Sequence, residues 1–216
     1  MKQSSETDSY IVNPEIEDYL SSLTPVEDAI LKEMELYAGN NDFPIVGPLV
    51  GRFLSQIALM TGAKKVLELG SGFGYSAYWF AGSVGEGGSV VFTELSPGNS
   101  RLAEDYLTRA GVRDRVRIIT GNALDVLDSA QDEFDIIFND IDKEYYPEVV
   151  DKAYAKLRKG GLLITDNVLW FGRVVSGDNS PSTEGVREFT RLLLSREGFF
   201  TTIIPIRDGV SLSLKL

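Results

Sequence analysis

From residue 60 onward, short apolar runs alternate with stretches whose apolar residues recur every three or four positions. Residues 64–70, KKVLELG, predict a strand that stops at glycine, and 75–84, YSAYWFAGSV, are apolar on every side, as a buried helix is. A second strand follows at 88–95. The next helix has Ser96 as N-cap, Pro97 in its first turn, Leu102, Tyr106 and Ala110 on one face, and Gly111 as its stop. Residues 115–120, 134–140 and 161–167 predict three more strands, separated by a short helix at 122–130 and a longer one over 146–161. That longer helix aligns Val149, Ala153 and Leu157, and carries cations and two glycines where a helix should end. A helix near 184–196 precedes two β segments, FFTTIIPI and GVSLSLKL, joined at Arg207-Asp208-Gly209, a hairpin signal.

Strands that alternate with helices predict an α/β fold, a doubly wound Rossmann-like sheet with helices on both faces. Seven strands are expected, mostly parallel, with one antiparallel strand from the terminal hairpin. The first 60 residues predict a helical cap over a sheet edge or the mouth of a site, ahead of a core at 61–216, all within one domain. In that cap, TPVE at 24–27 fits a capping box with Ile30, Met34 and Ala38 on one face behind it, and a further helix begins near residue 48.

Composition narrows the chemistry. The 216 residues include neither cysteine nor histidine. Disulfides, thiolate nucleophiles and zinc–thiolate sites are excluded, and the commonest general base is missing. A metal would need oxygen ligands, as Mg, Mn or Ca accept, and a base would have to be Lys, Asp, Glu or Tyr. The net charge of -11 disfavours nucleic acid as a partner. The polar start, MKQSSETDSYIVNPE, lacks the apolar stretch of a signal peptide, and no apolar run approaches a membrane span, so a cytoplasmic protein is expected.

Three places carry candidate chemistry. VLELGSGFGYS at 66–76 leads a strand into a glycine turn and a helix, a geometry that brings backbone close to a ligand. A dinucleotide fingerprint from Gly70 and Gly72 would need glycine where Tyr75 stands, and Glu68 suits a ligand with a positive centre. That favours S-adenosylmethionine over NAD; a plain strand–helix turn is the simpler alternative. Glu94, some 20 residues beyond the turn, is placed to accept from ribose hydroxyls, or else caps a helix. Asp140 ends the fourth strand and Asp166-Asn167 the fifth. On neighbouring strands, these three oxygen-bearing side chains would form a hard-cation site; otherwise they are ordinary loop residues. Lys143 is a candidate general base if desolvation and a nearby cation lower its pKa, or a surface lysine paired with Glu144.

Taken in order, VGPLVG (46–51), the glycine turn, GNALDVL (121–127), DIIFNDIDKEYY, RKGGLLITDNVLWFGRVV and the closing DGVSLSLKL resemble the cation-dependent O-methyltransferases, the group of caffeoyl-CoA and catechol O-methyltransferases. The resemblance runs from about residue 24 to the C-terminus. It implies that Val46, Glu68, Gly70 and Gly72 border the methionine part of S-adenosylmethionine and that Ser76 binds its carboxylate. Glu94 would hold the ribose and Ala123 would lie against the adenine. Asp140, itself bordering the cofactor, would bind a divalent cation with Asp166 and Asn167, with Lys143 as the base. Trp170 and the loop to about Thr183 would lie near a small phenolic acceptor, and a homodimer would be expected.

Two departures limit what carries over. No acid precedes Asp208 in FFTTIIPIRDG, where the animal catechol enzymes carry one, and SGDNSPST (176–183) is particular to this chain. Three rival readings remain at this level. A tRNA wobble hydroxyuridine O-methyltransferase would use the basic run Arg109, Arg113, Arg115 and Arg117. A non-catalytic metabolite-binding protein would keep only the cofactor turn. A nicotinamide-dependent oxidoreductase would have to tolerate Tyr75.

Overall fold

The computed structural model describes residues 11–216. Part of the polar N-terminal stretch therefore lies outside the described residues. Seven strands form one sheet: β1 (Lys65–Leu69), β2 (Ser89–Glu94), β3 (Val116–Thr120), β4 (Phe134–Asn139), β5 (Leu157–Thr165), β6 (Phe199–Ile204) and β7 (Val210–Lys215). The order across the sheet is β3-β2-β1-β4-β5-β7-β6. The first five strands pair in parallel, and β7 is antiparallel to both β5 and β6, as expected for one antiparallel strand from the hairpin. Chain order reverses between β1 and β4, the switch point outside which such sheets bind ligands.

Period-two alternation explains the two layers. Val66, Val90, Phe92, Ile136, Phe138, Leu162 and Ile164 pack one face against α2 (Ala29–Asn40), α3 (Gly47–Thr61), α4 (Tyr75–Ser83) and α5 (Pro97–Arg109). Leu67, Leu69, Ile137 and Leu163 face α6 (Ala123–Ser129), α7 (Tyr146–Lys156) and α8 (Pro181–Ser195). Helix α1 (Pro14–Leu23) lies on α3 and buries no residue of its own. Among the described residues, α2 and α3 of the expected cap belong to one layer, and the α2–α3 loop between them lies on the ligand side. No helix among the described residues is long and apolar enough to cross a membrane.

Two predicted boundaries are corrected. TPVE is not a capping box: the Thr24 backbone N–H closes the end of α1, and α2 starts later, with the Asp28 carboxylate accepting from the Ile30 and Leu31 N–H groups, each at 2.9 Å. Asp28 outcompetes Thr24 because its other oxygen also accepts from the Tyr78 hydroxyl at 2.8 Å. The second correction concerns RKGG, which does not end α7. That helix stops at Lys156, and Leu157 already pairs with Phe134 in the sheet. The glycines form an irregularity in β5: a Cβ at Gly161 would lie 2.9 Å from the Arg158 carbonyl oxygen and 3.1 Å from that of Phe134.

Candidate active site

The carboxyl ends of β1, β2, β4 and β5 open into a cavity of about 660 Å³, roofed by Phe43, Pro44, Ile45 and Val46 of the α2–α3 loop. Val46, Gly70, Gly72, Ser76, Glu94, Ala123, Asp140, Lys143, Asp166, Asn167 and Trp170 all line it. A second hollow of about 450 Å³ between α7 and α8, lined by Pro147, Asp151 and Arg196, holds none of these candidates.

The glycine turn forms one half of the cavity. Gly70 has φ +78°, and a Cβ there would lie 2.8 Å from the Asp140 carbonyl oxygen. Gly72 at φ +58° would press a Cβ against the Phe43 ring. Only glycine fits either position. Glu68 does not line the cavity. It is fully buried behind the wall, where the Ser76 hydroxyl donates to its Oε1 and Oε2 has no partner. Burial pushes its carboxyl up to about 8, against the pull of the Ser76 hydrogen bond. Glu94 at the end of β2 accepts from the Ser96 N–H at 2.8 Å and from Asn99 Nδ2 at 3.0 Å, which fixes its carboxylate at the cavity wall.

The other half joins β4 to β5. Asn139 and Thr165 are register partners, so Asp140 and Asp166 follow side by side on adjacent strands. Asp166 is 3% exposed, and its Oδ1 has no hydrogen-bond partner. Burial, with Asp140 adding to it, pushes the Asp166 carboxyl up to about 7. Burial also raises Asp140, against the pull of Lys143, whose Nζ donates to its Oδ1 at 2.8 Å. The ammonium lies 5.1 Å from the Tyr146 ring centre and 5.6 Å from that of Trp170. Of the two influences expected to lower the Lys143 pKa, burial acts in that direction, but Tyr146 and Asp140 outweigh it and hold the pKa above the ordinary lysine value. Among the described residues, no group of three or more Asp, Glu, His or Cys is placed to hold a metal. The candidate set is two carboxylates and the Asn167 amide.

Sequence reasoning missed several residues. Asp142 and Glu144 also line the cavity. Tyr146 donates its hydroxyl to the Asp166 carbonyl at 3.0 Å. Asp208 is buried, accepts from the Phe171 N–H, and is pushed up to about 6 by burial, with Asn167 beside it. The Asp208-Gly209 hairpin signal was visible in the sequence, but nothing there shows the turn folding back onto the fifth strand.

The O-methyltransferase family profile matches residues 22–216. The chain belongs to the O-methyltransferase family. A catechol O-methyltransferase from Niastella koreensis is 32% identical over 211 residues, covering 92% of this chain and 96% of the relative. An O-methyltransferase from Bacillus cereus in complex with SAH superposes with a TM-score of 0.85 at 30% identity, covering 94% and 97% of the two chains. The O-methyltransferase TomG from Streptomyces achromogenes, in complex with SAM, gives 0.85 at 30% identity, covering 93% and 96%. Family membership removes the nicotinamide and non-catalytic readings.

In this O-methyltransferase the loop after β5 is held by the hairpin tip. Asn167, Trp170 and Phe171 adopt φ of 56°, 46° and 53°, conformations that persist only where neighbours enforce them. The Val168 and Leu169 N–H groups each donate at 3.0 Å, to the Gly209 and Asp208 carbonyls. Farther on, the Arg187 guanidinium donates to the carbonyls of Arg173, Val174, Ser176 and Asp178. The chain-specific SGDNSPST segment is therefore structured. Asp178 accepts from the Ser180 and Thr183 hydroxyls at the start of α8. In the basic run, Arg109 pairs with Glu33 and Asp105 and Arg113 pairs with Glu104, while Arg115 donates to the Ala81 carbonyl and Arg117 is exposed.

Proposed function

We propose that this enzyme methylates a hydroxyl of a small phenolic acceptor, using S-adenosylmethionine and a divalent cation held by Asp140, Asp166 and Asn167. The observation that carries the reading is the buried Asp166 carboxylate. One of its oxygens has no partner, and it lies beside a second carboxylate at adjacent strand ends on the cavity. A buried unpartnered carboxylate oxygen is costly unless a cation or proton meets it. Two carboxylates and an amide oxygen suit Mg, Mn or Ca. The catechol O-methyltransferase relative supports a phenolic acceptor, and the SAH- and SAM-bound neighbours support the cofactor.

When bound, the cation supplies Lewis acidity that lowers the pKa of an acceptor hydroxyl, and S-adenosylmethionine supplies the methyl group. The protein does the rest. The glycine turn and the Glu94 carboxylate position the cofactor, with Val46 and the rest of the roof closing over it. Trp170 and Phe171 flank the acceptor, so that much of the rate gain comes from orientation. Among the described residues, Lys143 is the only lysine on the cavity wall. It takes the hydroxyl proton once its contacts with Tyr146 and Asp140 loosen, because burial then pulls its pKa down.

The test is a methyl-transfer screen over catechols, caffeoyl-type esters and simple phenols, with EDTA or with Mg²⁺. Turnover of at least one catechol that EDTA abolishes and Mg²⁺ restores is expected; transfer indifferent to EDTA refutes the metal set. Lys143→Met should lower kcat by about 10²–10⁴-fold, the usual worth of a general base, and leave the Kd for S-adenosylhomocysteine unchanged. A variant with normal kcat removes Lys143 from the chemistry.

A further inference from the structure

Arg207 and Asp208 are adjacent at the tip of the β6–β7 hairpin, yet they hold opposite walls of the cavity. On one side, Arg207 Nη1 donates to the Ile45 carbonyl at 2.9 Å and to the Val46 carbonyl, both in the roof. Gly47 has φ +74°, a conformation that favours glycine, and a Cβ there would lie 2.7 Å from that same nitrogen. On the other side, Asp208 and Gly209 accept the N–H groups of Val168, Leu169 and Phe171 in the acceptor loop. A Cβ at Gly209 would collide with Leu169. Arg207 itself adopts φ 48°. Four non-glycine residues with positive φ thus meet around one contact: Arg207, Asn167, Trp170 and Phe171. Such strain survives only where both sides are held.

We propose that Arg207 is a positioning residue. It ties the roof over the cofactor half to the hairpin tip that holds the acceptor loop, so that occupancy of the first half orders the second. This rests on the reading of the cavity as an S-adenosylmethionine site. A ligand that presses the roof onto Arg207 fixes the hairpin, and the hairpin fixes the amides of 168–171. By linkage, an ordered acceptor loop tightens cofactor binding by the same factor.

Hydrogen–deuterium exchange with saturating S-adenosylhomocysteine tests this on the full chain, independently of turnover. In the wild type, exchange should slow in peptides covering both 68–76 and 167–172. In Arg207→Ala, the protection of 68–76 should remain, which also reports an intact fold, while that of 167–172 is lost. The Kd for S-adenosylhomocysteine should weaken about tenfold, the effect of losing a charge-assisted hydrogen bond. Arg207→Lys keeps a charged donor and should restore most of the protection. Glu17 meets Arg207 Nε at 3.4 Å and touches neither wall, so Glu17→Gln should leave the coupling intact. Protection of 167–172 that persists in saturated Arg207→Ala overturns the proposal, since direct ligand contact would then explain it. A wild type that does not bind S-adenosylhomocysteine overturns the functional reading and this inference with it.

Discussion

Glu68→Gln probes the buried wall of the cofactor half most sharply. The folded protein raises this carboxyl from an ordinary 4.5 to about 8. Below pH 4.5 the group is protonated in both folded and unfolded chains and contributes nothing to a pH dependence. As the pH rises above 4.5, the unfolded chain releases its proton while the folded chain keeps it. Stability therefore falls by about 1.4 kcal/mol per pH unit until the folded carboxyl also ionises near pH 8. By pH 7 the loss is about 3 kcal/mol. Glutamine keeps the Ser76 hydrogen bond and has no proton to lose. Its buried NH₂ takes the place of Oε2, which has no partner, at a cost of about 1 kcal/mol. Urea unfolding of the cofactor-free protein at pH 5, 6, 7 and 7.5 should show the variant no more stable than wild type at pH 5 and about 2 kcal/mol more stable at pH 7. A difference that stays flat with pH refutes the assignment of a protonated, buried Glu68.

Gly70→Ala forces a side chain into a left-handed conformation, at a cost of about 1–2 kcal/mol, and onto the Asp140 carbonyl. Calorimetry should show S-adenosylhomocysteine affinity reduced more than tenfold, and unchanged affinity would place the ligand elsewhere. Asp28→Ala removes the cap of α2 and the acceptor of the Tyr78 hydroxyl; thermal unfolding should report a loss of about 1–2 kcal/mol with kcat unaltered.

The strand framework was legible because alternation along 64–70, 88–95 and 134–140 reports which residues face each helix layer. The strand-end acids were legible for a related reason: in a parallel sheet, ligand chemistry collects at carboxyl ends, and the β4–β5 pairing brought Asp140 beside Asp166. Helix ends were less legible. Thr24 and Asp28 both present capping oxygens, and the choice between them rests on Tyr78, 50 positions away. The two glycines after Lys159 look like a helix stop, and only the pairing of Leu157 with Phe134 reveals a strand irregularity. Periodicity does not report strand order, so nothing in the sequence placed β7 between β5 and β6 or brought Arg207 and Asp208 to the cavity. Nor does the spacing from Asp140 to Lys143 report the ion pair that raises the lysine pKa.

In the function proposed above, Asp140, Asp166 and Asn167 hold one divalent cation. Titration of Mn²⁺ into the S-adenosylhomocysteine-loaded enzyme, followed by electron paramagnetic resonance of the free ion, tests it most directly. One bound Mn²⁺ per chain is expected, competed by Mg²⁺ and abolished in Asp166→Ala while S-adenosylhomocysteine stays bound. Equal Mn²⁺ binding by wild type and Asp166→Ala, or none by either, would contradict it.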